Sequence, residues 1–139
     1  MPTQQVFRMT IASTPRSIAR VEKFLAKVSE SVTLDEIKMN KLMVSLTEAV
    51  NNAIVHGNKS KPKKKVSVRC EVLPGWLLIM VTDQGKGFSM NMVRNPLKEE
   101  NILRENGRGI FLMRTLMDKV EFERVKEGHQ VRLWLDLNK

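Results

Sequence analysis

Three chemically capable side chains recur at every fourth position of the stretch Leu46–Asn58, LTEAVNNAIVHGN: Glu48, Asn52 and His56. In a helix, residues four apart share a face, so a carboxylate, an amide and an imidazole would stand in one row. A carboxylate can take a proton from an attacking hydroxyl. An amide oxygen is a hard ligand that suits Mg2+. A plain solvent face would more naturally carry Glu, Lys or Gln, and the pair Asn51-Asn52 is unfavourable in a helix interior. Apolar Val44, Ala49, Ile54 and Val55 flank the row. The bland alternative sets a core face of Met39, Leu42, Leu46, Val50 and Ala53 against a solvated face that begins at Lys41 and Ser45. On these residues alone both readings stay open.

Two glycine-rich stretches carry the next candidates. In VTDQGKGF, Asp83 ends an apolar run and Gly85 and Gly87 follow. Asp accepts hydrogen bonds from amino groups, and glycine lets backbone approach a ligand closely. In ENGRGIFLM, Gly107 and Gly109 straddle Arg108 where a helix should begin. Free N–H groups at a helix start attract phosphate, and Arg108 would add charge. Either stretch alone is a weak signal, because glycines also simply end loops.

The elements that must hold these residues follow from periodicity and punctuation. Gln5–Ala12 alternates as a strand. Thr14 and Pro15 open a helix whose buried face is Ile18, Val21, Leu25 and Val28. Thr33 with Glu36 forms a capping box, so a second helix starts at Leu34 and runs to about His56, with Gly57 as its stop. Lys65–Leu73 and Trp76–Thr82 form a hairpin about Pro74-Gly75. Ser89–Asn106 reads as a long loop with a helical turn near Leu97–Leu103, and long loops in compact domains tend to be functional. A third helix spans Arg108–Met117, and strands Lys119–Val125 and Gln130–Leu137 close the chain around Glu127-Gly128. The order predicts an α+β two-layer sandwich: a mixed sheet of about five strands with helices on one face.

Composition limits the function classes. The 139 residues, 42% hydrophobic and 28% charged, suit a single domain, 1–139, with one core. The lone Cys70 excludes an internal disulfide and reads as a small packing residue. One Cys and two His are too few for a structural zinc site. The longest apolar run, Trp76–Val81, falls far short of the ~20 residues of a membrane span. The first residues lack a signal peptide's apolar core, so a cytoplasmic protein is expected. Much of the net charge of +9 lies in KSKPKKK, as Lys59, Lys61, Lys63, Lys64 and Lys65. No aromatic residue interleaves these lysines to stack on bases. A solvated loop is therefore the first reading, with a nucleic-acid contact or an acidic-partner surface as alternatives.

Taken together, Glu48/Asn52, Asp83-x-Gly85-x-Gly87 and Gly107-x-Gly109 resemble, in order and spacing, the nucleotide boxes of the gyrase, heat-shock chaperone, histidine kinase and MutL (GHKL) ATPase superfamily. Within it, LTEAVNNAIVHGN and GRGIFLMRTLMDKVEF resemble the stand-alone anti-sigma factor serine kinases of bacterial partner switching, and the likeness covers Phe7 to Leu137. The resemblance implies an ATP site in which Asn52 holds Mg2+ and Glu48 acts as general base toward a serine hydroxyl. It implies that Ala53 and His56 line the site and that Asp83 reads the adenine amino group. Gly85 and Gly87 would pass beside the base, Gly107, Arg108 and Gly109 would wrap the phosphates, and Ser89–Asn106 would be the lid. It further implies a sigma factor and an anti-anti-sigma antagonist protein as partners. By analogy a homodimer is expected, with Phe7 and Ile11 as exposed apolar candidates. The chain departs from many relatives before its last strand: they carry Gly-Thr, where this sequence has Gly128-His129-Gln130. The alternatives are an ATP-binding partner module without phosphotransfer and, further off, a basic nucleic-acid binder.

Overall fold

A computed structural model describes residues 5–85 and 105–139 of the chain. Five strands form one sheet: β1 (Gln5–Ala12), β2 (Lys65–Leu73), β3 (Trp76–Asp83), β4 (Lys119–Arg124) and β5 (His129–Asp136). Their spatial order is β1-β2-β3-β5-β4. Every neighbouring pair is antiparallel, so the expected mixed sheet is corrected. The chain topology is the reason. Two helices between β1 and β2 mean three reversals of the chain, an odd number, and so return it antiparallel. One helix between β3 and β4 leaves those two strands running the same way, but β5 inserts between them.

Alternation sends one side chain of each pair inward. The inward set includes Ile11, Val66, Val68, Cys70, Leu77, Ile79, Val81, Val131, Leu133 and Leu135, all buried in one core. Phe7 and Ile11 belong to that core side: Ile11 is 1% exposed and Phe7 packs against the cluster. They therefore do not offer the exposed dimer surface expected of them. The β2–β3 turn at Pro74-Gly75 puts Gly75 at φ 76°, where glycine is favoured. Cys70 is buried, and burial pushes its thiol up to about 12, which suits packing and not nucleophilic chemistry.

All helices lie on that inner face. Pro15–Ile18 forms a 3-10 turn first, and α1 (Ala19–Ser29) follows with Val21, Phe24, Leu25 and Val28 buried. The second helix, α2, spans Glu36–Asn52. Its cap is Asp35, whose carboxylate accepts from Lys38 N at 2.7 Å, and not the expected Thr33/Glu36 box. A carboxylate at this end also meets the positive pole of the helix. The chain then widens into a π-helical turn, Ala53–Gly57, and Asn58 N reaches back to Ala53 O at 2.8 Å. Gly57 is thus not a left-handed stop; the positive φ angles fall on Lys59 and Ser60, at 54° and 55°. The last helix, α3 (Glu105–Leu116), packs on α2 through Ile110 and Met113.

Candidate functional site

The row on α2 is not a solvent face. Ser45 is fully buried, Asn52 is 3% exposed, and Glu48 and His56 are half-buried. Lys41 does face solvent, as expected. The sheet covers one side of α2 and α3 covers another, so the helix is enclosed on more than its apolar stripe. The periodicity of a single helix carries no information about a second helix packed over it.

The structure puts the third glycine box against that row. A Cβ at Gly109 would lie 2.9 Å from Glu48 Oε2 and 3.1 Å from Asn52 Nδ2. Only a hydrogen fits there without moving one of them. Gly107 and Gly109 lie inside the first two turns of α3 and not ahead of its start, against the expected onset at Arg108. Each glycine in a helix interior costs about 1 kcal/mol relative to alanine. At Gly109 the cost is offset by the close approach of α3 to Glu48 and Asn52. Arg108 is exposed on the same turn.

The Nδ2 of Asn52 is buried without a hydrogen-bond partner among the described residues. An unsatisfied buried amide costs about 1–3 kcal/mol. From one position an amide can offer its nitrogen to a phosphate oxygen or its oxygen to a hard cation. With Glu48 beside it, the residue set fits Mg2+, which takes few protein ligands and shares phosphate oxygens. Among the described residues no three His, Cys, Asp or Glu side chains cluster as a self-sufficient metal cage.

Asp83 defines the other end. It closes β3, is 4% exposed, and accepts from Gly85 N at 3.0 Å. A Cβ at Gly57 would overlap the Asp83 carboxylate, and one at Gly128 would overlap the Asp83 carbonyl oxygen. One at Gly85 would overlap the Gly57 carbonyl. Three glycines from three connections therefore converge on one aspartate. Burial raises the Asp83 carboxyl above the ordinary carboxylate value, while the Gly85 N–H bond, the charge and the backbone N–H of His129 and the charge of Lys64 oppose that rise. A cleft of about 270 Å³ opens beside Gly85, lined by Arg124 to Gly128 of the β4–β5 turn.

Asn58 and His129 are the residues whose part sequence reasoning missed. Asn58 is fully buried and joins three segments. Its amide nitrogen donates to Ser13 Oγ at 2.8 Å and Lys65 O at 3.0 Å, and its oxygen accepts from Gln84 N at 2.8 Å. Gln84 returns the tie by accepting from Lys65 N at 2.6 Å. The segment behind Asp83 is so anchored to β1, to β2 and to the π-turn. The neutral, buried character of Asn58 at the end of LTEAVNNAIVHGN has no signature in one sequence. His129, 2% exposed, stands directly across from Asp83 in the β3–β5 register. Ala53 is buried at the start of the π-turn, a geometry common at functional sites. Gly87 and most of the expected lid, 89–104, lie outside the described residues, and Glu105 and Asn106 open α3.

Residues 48 to 57 link the two ends along a single helix and its π-turn. At helical rise that is roughly 13 Å. The first box thus forms a wall, with Asp83 at one end of it and Gly109 at the other.

A family model described as a histidine kinase-like ATPase domain matches residues 11–135, and the chain belongs to that family. Its place there is among the anti-sigma factors and their serine kinase relatives. It is 36% identical over 116 residues to an anti-sigma F factor of Clostridium botulinum (strain Eklund 17B / Type B), covering 81% of this chain and 78% of that protein. It is 33% identical over 123 residues to the serine-protein kinase RsbW of Bacillus velezensis, covering 83% and 76%. The crystal structure of the RsbU and RsbW domains of a Mycobacterium tuberculosis protein shares the fold, with a TM-score of 0.60 at 16% identity. That match covers 97% of this chain, which spans 33% of the longer one. No helix among the described residues is long and apolar enough to cross a membrane.

Proposed function

We propose that this chain is an ATP-dependent serine kinase and anti-sigma factor of a partner-switching system, acting in the cytoplasm. It would bind a sigma factor and phosphorylate a serine of an antagonist protein. The observation that carries the reading is the close approach of Gly109 to both Glu48 and Asn52, at the far end of the wall from Asp83. The adenine lies at Asp83, which accepts from its amino group, and Gly57 and Gly128 leave the room that Asp83 itself occupies. Ala53 and His56 line the wall between the two ends. The triphosphate lies along α2 toward Gly107, Arg108 and Gly109.

Asn52 would hold Mg2+, which when bound neutralises charge on the phosphates. Glu48 accepts the proton of the substrate serine as its oxygen bonds to the terminal phosphorus; the bond from that phosphorus to the bridging oxygen breaks, and ADP leaves. One helical turn separates Glu48 from Asn52, so base and cation site meet at the same phosphate. Pairing of two copies follows by analogy with relatives.

Isothermal titration with ATP and Mg2+ tests the pocket. Wild type should bind, and Asn52→Ala and Asp83→Asn should each bind more weakly. Equal affinity in all three proteins would remove the site.

A further inference from the structure

The buried histidine at the Asp83 end has no part in the scheme above. Strand alternation turns Leu77, Ile79, Val81 and Asp83 inward on β3, and His129, Val131, Leu133 and Leu135 inward on β5. Asp83 and His129 are direct partners in the antiparallel register. Side chains so placed are about 5 Å apart at Cβ. Both are nearly sealed from solvent, at 4% and 2% exposure. Gly128, the residue before His129, has no room for a side chain against the Asp83 backbone, which locks the two strands at this point.

We propose that His129 is the positioning residue for base selection: it holds Asp83 as an acceptor for the exocyclic amino group of adenine and so sets the preference for adenine over guanine nucleotides. The inference rests on the reading of Asp83 given above. Guanine presents a carbonyl where adenine presents an amino group. A carboxylate accepts from the amino group and repels the carbonyl; a protonated acid loses that discrimination. Burial favours the protonated acid, and the imidazole opposes it. Asp83 and His129 each favour the charged form of the other, while burial works against both. Two further cations bear on the pair. Lys64, just before β2, supports the Asp83 carboxylate. Arg124, the β4 register partner of His129, disfavours a charged imidazole.

The test is the ratio of GTP to ATP dissociation constants from about pH 8 down to the most acid pH at which wild type stays folded, for wild type, His129→Asn, His129→Phe and Asp83→Asn. Wild type should prefer ATP and lose that preference only toward the acid end. His129→Asn and His129→Phe should weaken ATP binding about tenfold with little change for GTP. In His129→Asn, which keeps a hydrogen-bonding group, the loss of preference should begin at a higher pH than in wild type. A merely structural histidine would change affinity for both nucleotides together and leave the pH at which preference is lost unmoved. An unmoved pH and an unchanged ratio in His129→Asn, with Asp83→Asn defective, would overturn this inference alone. Wild type that binds neither nucleotide would overturn the functional reading with it. The wild-type pH profile needs no variant, so a preference for ATP that persists unchanged to the acid end also counts against the proposal.

Discussion

The two ends of the site are built by different means. At the Glu48 end, two helices approach through one glycine, and the groups that face each other are the ends of side chains. At the Asp83 end, three glycines clear space for backbone and for a single buried carboxylate, and the Asn58 network braces the strand behind it. The first end can yield, because a glutamate tip moves cheaply. The second cannot, because a displaced carbonyl drags a strand. On the proposed function, chemistry that needs adjustment during phosphate transfer would sit where movement is cheap, and recognition of a fixed ring where it is not.

Substitutions can break or sharpen that contrast. The largest expected effect is Glu48→Ala, which should lower transfer of label from ATP to a cognate antagonist by roughly 10²–10⁴-fold and leave ATP affinity within about twofold. Equal transfer in variant and wild type would dismiss Glu48 as base.

Asp83→Asn should do the reverse of a stabilising pocket residue. ATP affinity should fall by about ten- to a hundredfold by titration, the loss of one hydrogen bond to a charged acceptor. The folded protein should nonetheless melt at a higher temperature. The sign follows from burial. Because the folded carboxyl lies above its unfolded value, its contribution to stability is fully present below the unfolded value and is lost as pH rises through the folded one. The Tm advantage of Asp83→Asn should therefore grow from acid to neutral pH. A constant gap would show that Asp83 ionises without strain in the fold.

Matched glycine variants compare the ends directly. Gly57→Ala should destabilise by roughly 1–3 kcal/mol, because its Cβ meets a fixed carboxylate. Gly109→Ala should keep stability or raise it by up to about 1 kcal/mol, since the Glu48 tip can move aside and alanine favours the helix. That variant should still lose transfer activity. Thermal melts that rank the two the other way would refute the contrast.

The smallest effect is expected from Lys59, Lys61 and Lys63, all exposed, replaced together by Gln. Tm should move by no more than the equivalent of about 0.5 kcal/mol. Salt-dependent DNA binding in wild type that this variant lacked would revive the nucleic-acid alternative.

The sequence by itself determined the inventory: which side chains could act, the order of the three boxes, five strands, and the amphipathic stripes that seat the helices. These are local properties, set by side-chain type and by periods of two and 3.6 residues. Only the tertiary structure decided which surfaces are covered. Ser45 is solvent-facing by its place on the wheel and fully buried in the fold. Gly57 is a helix stop by type, yet it is needed as room for Asp83. Gly107 and Gly109 mark a helix start by type, yet both sit within α3, and at Gly109 α2 comes close. Asp83 and His129, 46 positions apart in the chain, meet through strand register, which depends on pairing between strands and leaves no mark in the residues of either one alone.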